Sequence, residues 1–183
     1  FTFVEVPKSL NDSDTMAIIV PRIRSNDQVT EANIWISRDD TTYQHVEIQD
    51  TGHAGGFLNE VMPTTSGYID VGPVFTPVGP DILTVEDLSS DLLNWSLGRQ
   101  LVIFEAPTGE QEICFLQKIE AVSATTWRLR GILRSRYDTE EFAFPLGTKI
   151  FIFLQEDAIG IQDILLVPGE TLYLKSQPGA EGG

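Results

Sequence analysis

"EICFLQKIEAVSATTWRLRGILRSR", Glu112–Arg136, is the stretch that decides how this chain is read. In its first half Ile113, Phe115 and Ile119 alternate with Glu112, Lys118 and Glu120; in its second half Trp127 and Leu129 alternate with Arg128 and Arg130. A period of two is that of a β-strand with one buried face. Folding the chain at Ser123–Thr125 sets Ile119 opposite Leu129 and Glu120 opposite Arg128. Lys118 then faces Arg130, an unfavourable pair that Glu120, diagonal to Arg130, offsets. The hairpin is expected to carry one apolar and one charged face, as a half-buried antiparallel pair requires. Alternation fails at Ile132–Leu133, which places Gly131 at a bulge that re-aims the residues after it.

The same grammar extends along the chain. Short apolar runs separated by Gly, Pro, Asn, Asp and Ser predict strands at Met16–Arg24, Ala32–Ser37, Tyr43–Ile48, Phe57–Val61, Ile82–Val85, Gln100–Glu105, Glu112–Ala121, Thr126–Leu133 and Lys149–Leu154. Ile150–Leu154 is apolar at every position, so this strand should be covered on both faces. In "TVEDLSSDLLNWSLG", Leu88, Leu92 and Trp95 can share one helical face and Gly98 can end it, which predicts a turn or two of helix. Thr65–Asp81 holds three Pro and three Gly and is not expected to form a continuous central strand. The fold class that results is all-β: an antiparallel sandwich or barrel-like domain, or domains, with at most one or two short helices. Two β-rich subdomains, 1–80 and 81–175, are expected, or a single domain over 1–175, followed by a flexible tail at 176–183.

Charge excludes some functions. With 27 acidic against 12 basic residues the formal net charge is −15, which argues against nucleic-acid recognition. No apolar run approaches the roughly 18–20 residues that a membrane span needs. "FTFVEVPKSL" lacks a starting Met and the layout of a signal peptide, and reads as an internal piece of a longer polypeptide. The single Cys114 allows no internal disulfide. His45 and His53 have no partner at metal-ligand spacing, and "NDSDT", with Asp12 and Asp14, reads as a turn rather than a calcium loop. No nucleotide fingerprint and no nucleophile motif occurs, so neither cofactor nor enzymatic activity is expected.

Two constellations remain. Half of the eight arginines, Arg128, Arg130, Arg134 and Arg136, fall within Trp127–Glu140. They read either as a clamp for a bound carboxylate or anion, or as ion pairs to Glu120, Asp138, Glu140 and Glu141 or to a neighbouring subunit. In "IWISRDDTTYQHVE", a hairpin turning at Asp40–Thr42 puts Ile34 and Ile36 with Val46 and Ile48 on the core side. Trp35, Tyr43 and His45 then share the opposite face, as a glycan-stacking or protein-contact strip or as cover for a neighbouring element. Ser37–Thr41 also resembles the Asp-box hairpin, Ser-x-Asp-x-Gly, with Thr41 at the glycine position; such boxes form turns and do not catalyse.

"LRGILRSRYDTEEFAFPLGTKIFIFL" resembles the C-terminal region of the tail-hub proteins of siphophages and gene transfer agents, also called tip-attachment or host-specificity proteins. That family carries a Leu-x-Gly-Leu-Leu-Arg-Gly-x-x-Gly-Thr-Glu stretch, which Leu129, Gly131, Ile132, Leu133, Arg134, Thr139 and Glu140 fit. Gly147 and the Phe151–Leu154 strand continue it. "FVEVPKSLNDSD", "IWISRDDTTYQHV" and "LNWSLGRQLVIFEAPTGEQEICFLQKIEAVSATTWRLRGILR" are similar to further segments in the same order, so the resemblance covers most of residues 1–155. Ser135 and Asp138 stand where the family favours Gly, and Phe144 where His is common. The resemblance implies a structural module of a phage or prophage tail-tip or baseplate hub. Its partners would be other tail proteins, further copies of itself in a trimer, and a host surface receptor or glycan. It would be made in the bacterial cytoplasm and located at the virion tail tip. The alternative carried by the residues themselves is a carbohydrate-binding adhesin module built on Trp35, Tyr43 and His45.

Overall fold

The computed structural model describes residues 4–6, 16–19, 23, 31–49, 52–65, 67–157, 160–164 and 171–178. It is all-β, with antiparallel strands in a closed six-stranded barrel and two three-stranded sheets. The described strands are β1 (Val4–Val6), β2 (Met16–Ile19), β3 (Ala32–Ser37), β4 (Gln44–Gln49), β5 (Ala54–Leu58), β6 (Tyr68–Pro77), β7 (Gln100–Glu105), β8 (Gln111–Ala121), β9 (Trp127–Arg136), β10 (Lys149–Leu154), β11 (Gly160–Ile164) and β12 (Tyr173–Pro178). The barrel runs in the order β10-β5-β6-β9-β8-β7 and closes between β7 and β10, while the sheets are β1-β2-β11 and β12-β3-β4. Residue 80 lies between two barrel strands, β6 and β7.

The hairpin read from alternation forms in the expected register. Ile119 stands opposite Leu129, Glu120 opposite Arg128 and Lys118 opposite Arg130. Gly131 has φ +63. The buried set shifts there, from Leu129 to Ile132 on β9 and from Ile119 to Leu116 on β8. The slip in pairing falls later, between Ile113 and Phe115, and Ser135 on the facing strand has φ +52. The shift opposite Gly131, rather than this slip, places Glu112, expected on the charged outer face, in the barrel with Cys114 and Leu116.

β10 joins the two cores. Ile150 and Ile152 point into the barrel with Phe75, Phe104, Leu116 and Phe144. Phe151 and Phe153 point outward, into a second cluster with Leu101, Ile103, Ile113 and Phe115. This explains a run that is apolar at every position: each face of the strand has its own layer.

Four expectations fail for local reasons. Thr65–Asp81 does hold a central strand, β6. Its register slips between Val71 and Val74, so Gly72 and Pro73 sit at a bulge, where the missing N–H of proline breaks no ladder bond. The strand expected at Phe57–Val61 is shifted to Ala54–Leu58, because "AGG" is read as loop chemistry when it is close-packing chemistry. Ile82–Val85 is no strand: Asp81–Thr84 is a 3-10 turn, in which the Thr84 hydroxyl donates to the Asp81 carbonyl at 2.7 Å. The stretch from Ser176, read as tail, begins inside β12, where Ser176, Gln177 and Pro178 stand opposite Ile34, Asn33 and Ala32.

The one α-helix described, α1 (Leu92–Ser96), is short, as expected. The Asp91 carboxylate accepts the Asn94 N–H at 3.2 Å at its start, and Gly98, φ +81, follows its end. Leu88 precedes the helix and is buried, whereas Leu92 is 56% exposed, so the two share no buried face.

Gly56 shows why β5 is made of small residues. A Cβ there would lie 2.0 Å from the Thr76 carbonyl oxygen on β6, a backbone atom that cannot move without parting the strands. Gly56→Ala is expected to destabilise the protein by about 1–3 kcal/mol or more, the range for overpacking a filled interior, as read from urea unfolding. A change under about 0.5 kcal/mol, typical of surface positions, would contradict this packing.

Candidate functional site

The arginine stretch is the strongest chemical feature, and the structure assigns a different contact to each of its four guanidinium groups. Arg128 donates to Glu60 at 3.3 Å and to the Gly72 carbonyl at 3.0 Å. Arg130 donates to the diagonal Glu120 at 2.7 Å, as the hairpin register predicts. Lys118, which faces Arg130, turns to Asp87 at 3.7 Å. Both arginines are partly exposed, so these pairs are worth little in stability, about 0–1 kcal/mol each.

Arg134 differs in kind. Its side chain and that of Glu112 are both 0% exposed. Nε donates to one Glu112 oxygen at 2.9 Å, and Nη2 donates to the other. Nη1 donates to the Pro63 carbonyl at 2.8 Å and Nη2 also to the Phe142 carbonyl at 2.6 Å. Glu112 accepts in addition the N–H groups of Ser135 at 3.1 Å and Phe142 at 3.3 Å. Burial works against the charge on Arg134, but the bonds to Glu112 outweigh it and hold the guanidinium protonated above its ordinary range. Burial, then the Glu112 carboxylate, push the adjacent Cys114 thiol well up, so it is no nucleophile at neutral pH.

Arg134 therefore binds protein rather than substrate. It fastens β8, β9, the segment ahead of β6 and the chain at Phe142 to one another. Phe142 leads to Phe144, fully buried, which stacks on Phe104 with centroids 5.3 Å apart and exchanges both backbone hydrogen bonds with Met62. Of the acids expected to serve the arginines, Glu120 forms an ion pair with one, and Glu141 acts on Arg134 through space. Glu141 accepts the Gly67 N–H at 2.9 Å, and Asp138 and Glu140 are exposed. Glu140 makes no ion pair among the described residues. Arg136 lies over the Phe115 ring, 5.3 Å from its centroid.

The second constellation also assembles. Trp35 stands opposite His45, and their rings meet edge-on at 5.1 Å. Lys175 of β12 stands opposite Trp35, and its ammonium sits 3.4 Å from the Tyr43 ring centroid, covering one face of that ring. Register slips between Ile34 and Trp35, so Ile48 stands opposite Asn33 instead of continuing the Ile34–Ile36 side. The turn beyond is built on Asp39, whose Oδ1 accepts the Ser37 hydroxyl at 2.8 Å and the N–H groups of Thr41 at 2.9 Å and Thr42 at 2.7 Å. The left-handed residue is Asp40, φ +57, rather than Thr41. Asp12 and Asp14 lie outside the described residues; among the described residues no three metal-ligating side chains converge.

Two surface clefts, of about 420 and 310 Å³, are each lined by one carboxylate, Glu156 and Glu60, and each of these is paired with an arginine, Arg99 and Arg128. No described helix is long and apolar enough to cross a membrane. No protein-family model matches this chain, and a search of curated proteins found no match.

Two outcomes follow from this geometry. Arg134→Met leaves Glu112 buried and uncompensated, with an expected cost of about 3–5 kcal/mol. The double change Arg134→Met with Glu112→Leu should cost less than the single one; equal or larger loss in chemical denaturation would mean that the pair does not act as a unit. The backbone bonds from Thr42 and Thr41, with the Ser37 hydroxyl, hold Asp39 well below the usual carboxylate range. A depressed folded value means stabilisation that is present above about pH 4 and lost as pH falls through it. The melting difference between wild type and Asp39→Ala should therefore be full at pH 7 and shrink progressively as pH falls below about 4; a difference as large at pH 2 as at pH 7 would count against it.

Proposed function

We infer that this chain is a structural module of a phage or prophage tail-tip hub protein, joining tail parts rather than transforming a substrate. The observation that carries this reading is where the arginine motif spends its charge. Arg134, the arginine of the Gly-Leu-Leu-Arg pattern, is wholly consumed in holding four chain segments together. A motif used in this way describes a fastened framework, not a reaction centre.

The backbone supplies a second support. Ser135 and Asp138 occupy the two positions where the resembling family favours glycine, and both have positive φ, +52 and +61. That is the conformation for which glycine is preferred. Positive φ at these two positions is what glycine there would accommodate, and it supports the resemblance.

In this reading the partners are other tail proteins and further copies of the chain, and the place of work is the end of a virion tail. The test is made on particles from cells that carry the gene. Density-gradient-purified particles should contain the polypeptide, and antibody raised against this chain should label one end of the tail in electron micrographs. Arg134→Met in the full-length polypeptide should reduce assembled or infective particles. Particles free of the polypeptide, or label spread over capsids and cell debris alike, would overturn the assignment.

A further inference from the structure

We propose that Tyr68, Asp70 and Gln117, grouped around Gly131, form a binding site for a neutral sugar ring within a polysaccharide. Strand register brings the three together. Ile69 and Val71 of β6 stand opposite Ile132 and Arg130 of β9, which sets Asp70 beside Gly131. Leu116 and Lys118 of β8 stand opposite the same two residues, which sets Gln117 on its other side. Tyr68, two residues before Asp70, donates its hydroxyl to Asp70 Oδ1 at 3.1 Å.

The missing side chain of Gly131 gives this place its shape. A Cβ there would lie 2.5 Å from the Gln117 Cβ and 2.8 Å from its Oε1, so the Gln117 side chain lies across the space that any other residue would fill. The Gly131 carbonyl accepts the Trp95 indole N–H at 3.1 Å. The Trp95 ring in turn meets that of Tyr68 edge-on, with centroids 6.0 Å apart. Tyr68 is therefore held by an indole at its ring and a carboxylate at its hydroxyl, yet it stays 48% exposed. An exposed aromatic ring whose orientation is already fixed gives up little freedom when a ligand covers it.

The polar groups around that ring are unspent. Asp70 is exposed and pairs with no cation among the described residues, and the Gln117 amide makes no side-chain hydrogen bond among them. A pyranose ring has an apolar C–H face and a rim of hydroxyls that each donate and accept. The face suits an aromatic ring, and the hydroxyls suit a carboxylate that accepts and an amide that does both. Charge selects a neutral sugar. The two cations that flank the row, Arg130 and Lys118, are engaged by Glu120 at 2.7 Å and Asp87 at 3.7 Å, so an acidic sugar would meet Asp70 with neither cation free to receive it. With Tyr68 and Asp70 both exposed, the site is open at its sides, as a sugar with neighbours on both linkages requires.

The site lies on barrel strands, whereas Trp35 and His45 lie on β3 and β4. It deepens the module reading above, of which it needs only that the chain meets a surface polysaccharide.

The test is nuclear magnetic resonance titration of the chain with glucose, galactose, mannose and N-acetylglucosamine, as methyl glycosides and as linear trisaccharides, to about 100 mM, a range that reads millimolar affinity. The Trp95 indole N–H signal reports on the site. At least one neutral sugar should move it saturably, in both forms, and methyl glucuronide should bind more weakly. Tyr68→Ala and Asp70→Asn should each weaken binding by about tenfold or more, the effect of losing a contact to a charged or aromatic group. Both positions are exposed, and Asp70→Asn keeps the shape of the side chain, so this variant still decides the matter if Tyr68→Ala does not fold. His45→Ala should bind as wild type does. A signal that no neutral sugar moves, binding confined to the methyl glycosides, binding that neither variant alters, or glucuronide bound as tightly as glucose overturns the proposal. None of these results bears on whether the polypeptide is present in tail particles, so failure here and failure of the module assignment are distinguishable.

Discussion

A charged pair sealed inside a mostly apolar barrel sets the terms for the rest of this structure. Arg134 and Glu112 both lose their water, and the loss is offset because every lobe of the pair meets a backbone group or the opposite charge. An apolar pair of similar volume could fill the same space with no less stability. What the ionic pair adds is direction: the guanidinium donates along fixed lines to Pro63, Phe142 and Glu112, so those segments have one arrangement rather than several. The position of Phe144, on which the filling of the barrel depends, follows from that of Phe142 two residues before it. β9 bends directly after Arg134, where Ser135, Tyr137 and Asp138 have positive φ.

Much of this was legible in the sequence where neighbours in space are neighbours in the hairpin. Ile119–Leu129, Lys118–Arg130 and the diagonal Glu120–Arg130 bond all follow from alternation and a turn at Ser123–Thr125. β10 was legible because Ile150–Phe153 has no polar position to spare for water. Glu112 was not. Alternation assigns an acid to the wet side, and the shift opposite Gly131, with a cation arriving from β9, reverses the assignment. Nor does any local signal show that Phe142 and Pro63 will supply carbonyls to Arg134, since they come from opposite sides of the barrel sequence.

Glycine and proline misled for the same reason. Both are read as punctuation, yet in β5 and β6 they serve packing and curvature. Gly55 and Gly56 let β5 lie close between β10 and β6, and Gly72–Pro73 bends β6. Trp35 and His45 meet across β3 and β4, but the surroundings of Tyr43 are set by Lys175 from β12, a strand that overlaps the stretch read as tail. The recurring limit is distance along the chain: pattern speaks for a strand and its hairpin partner, and falls silent about whatever the topology delivers from elsewhere.

The strand order has a consequence for synthesis. β7, β8 and β9 form a meander that can assemble as it emerges, and the β5–β6 hairpin can dock onto β9. The ring cannot shut until β10 slots between β7 and β5, its two flanks made long before it. Until the ribosome has passed residue 154 the nascent barrel therefore has two bare ladders facing each other across a gap, open to any stray extended chain. The last strand is also the one that unites inner and outer aromatic layers, so ring closure and core consolidation coincide. Such late, long-range closure makes for slow folding, and makes the interval before β10 arrives the time of greatest exposure to misassembly.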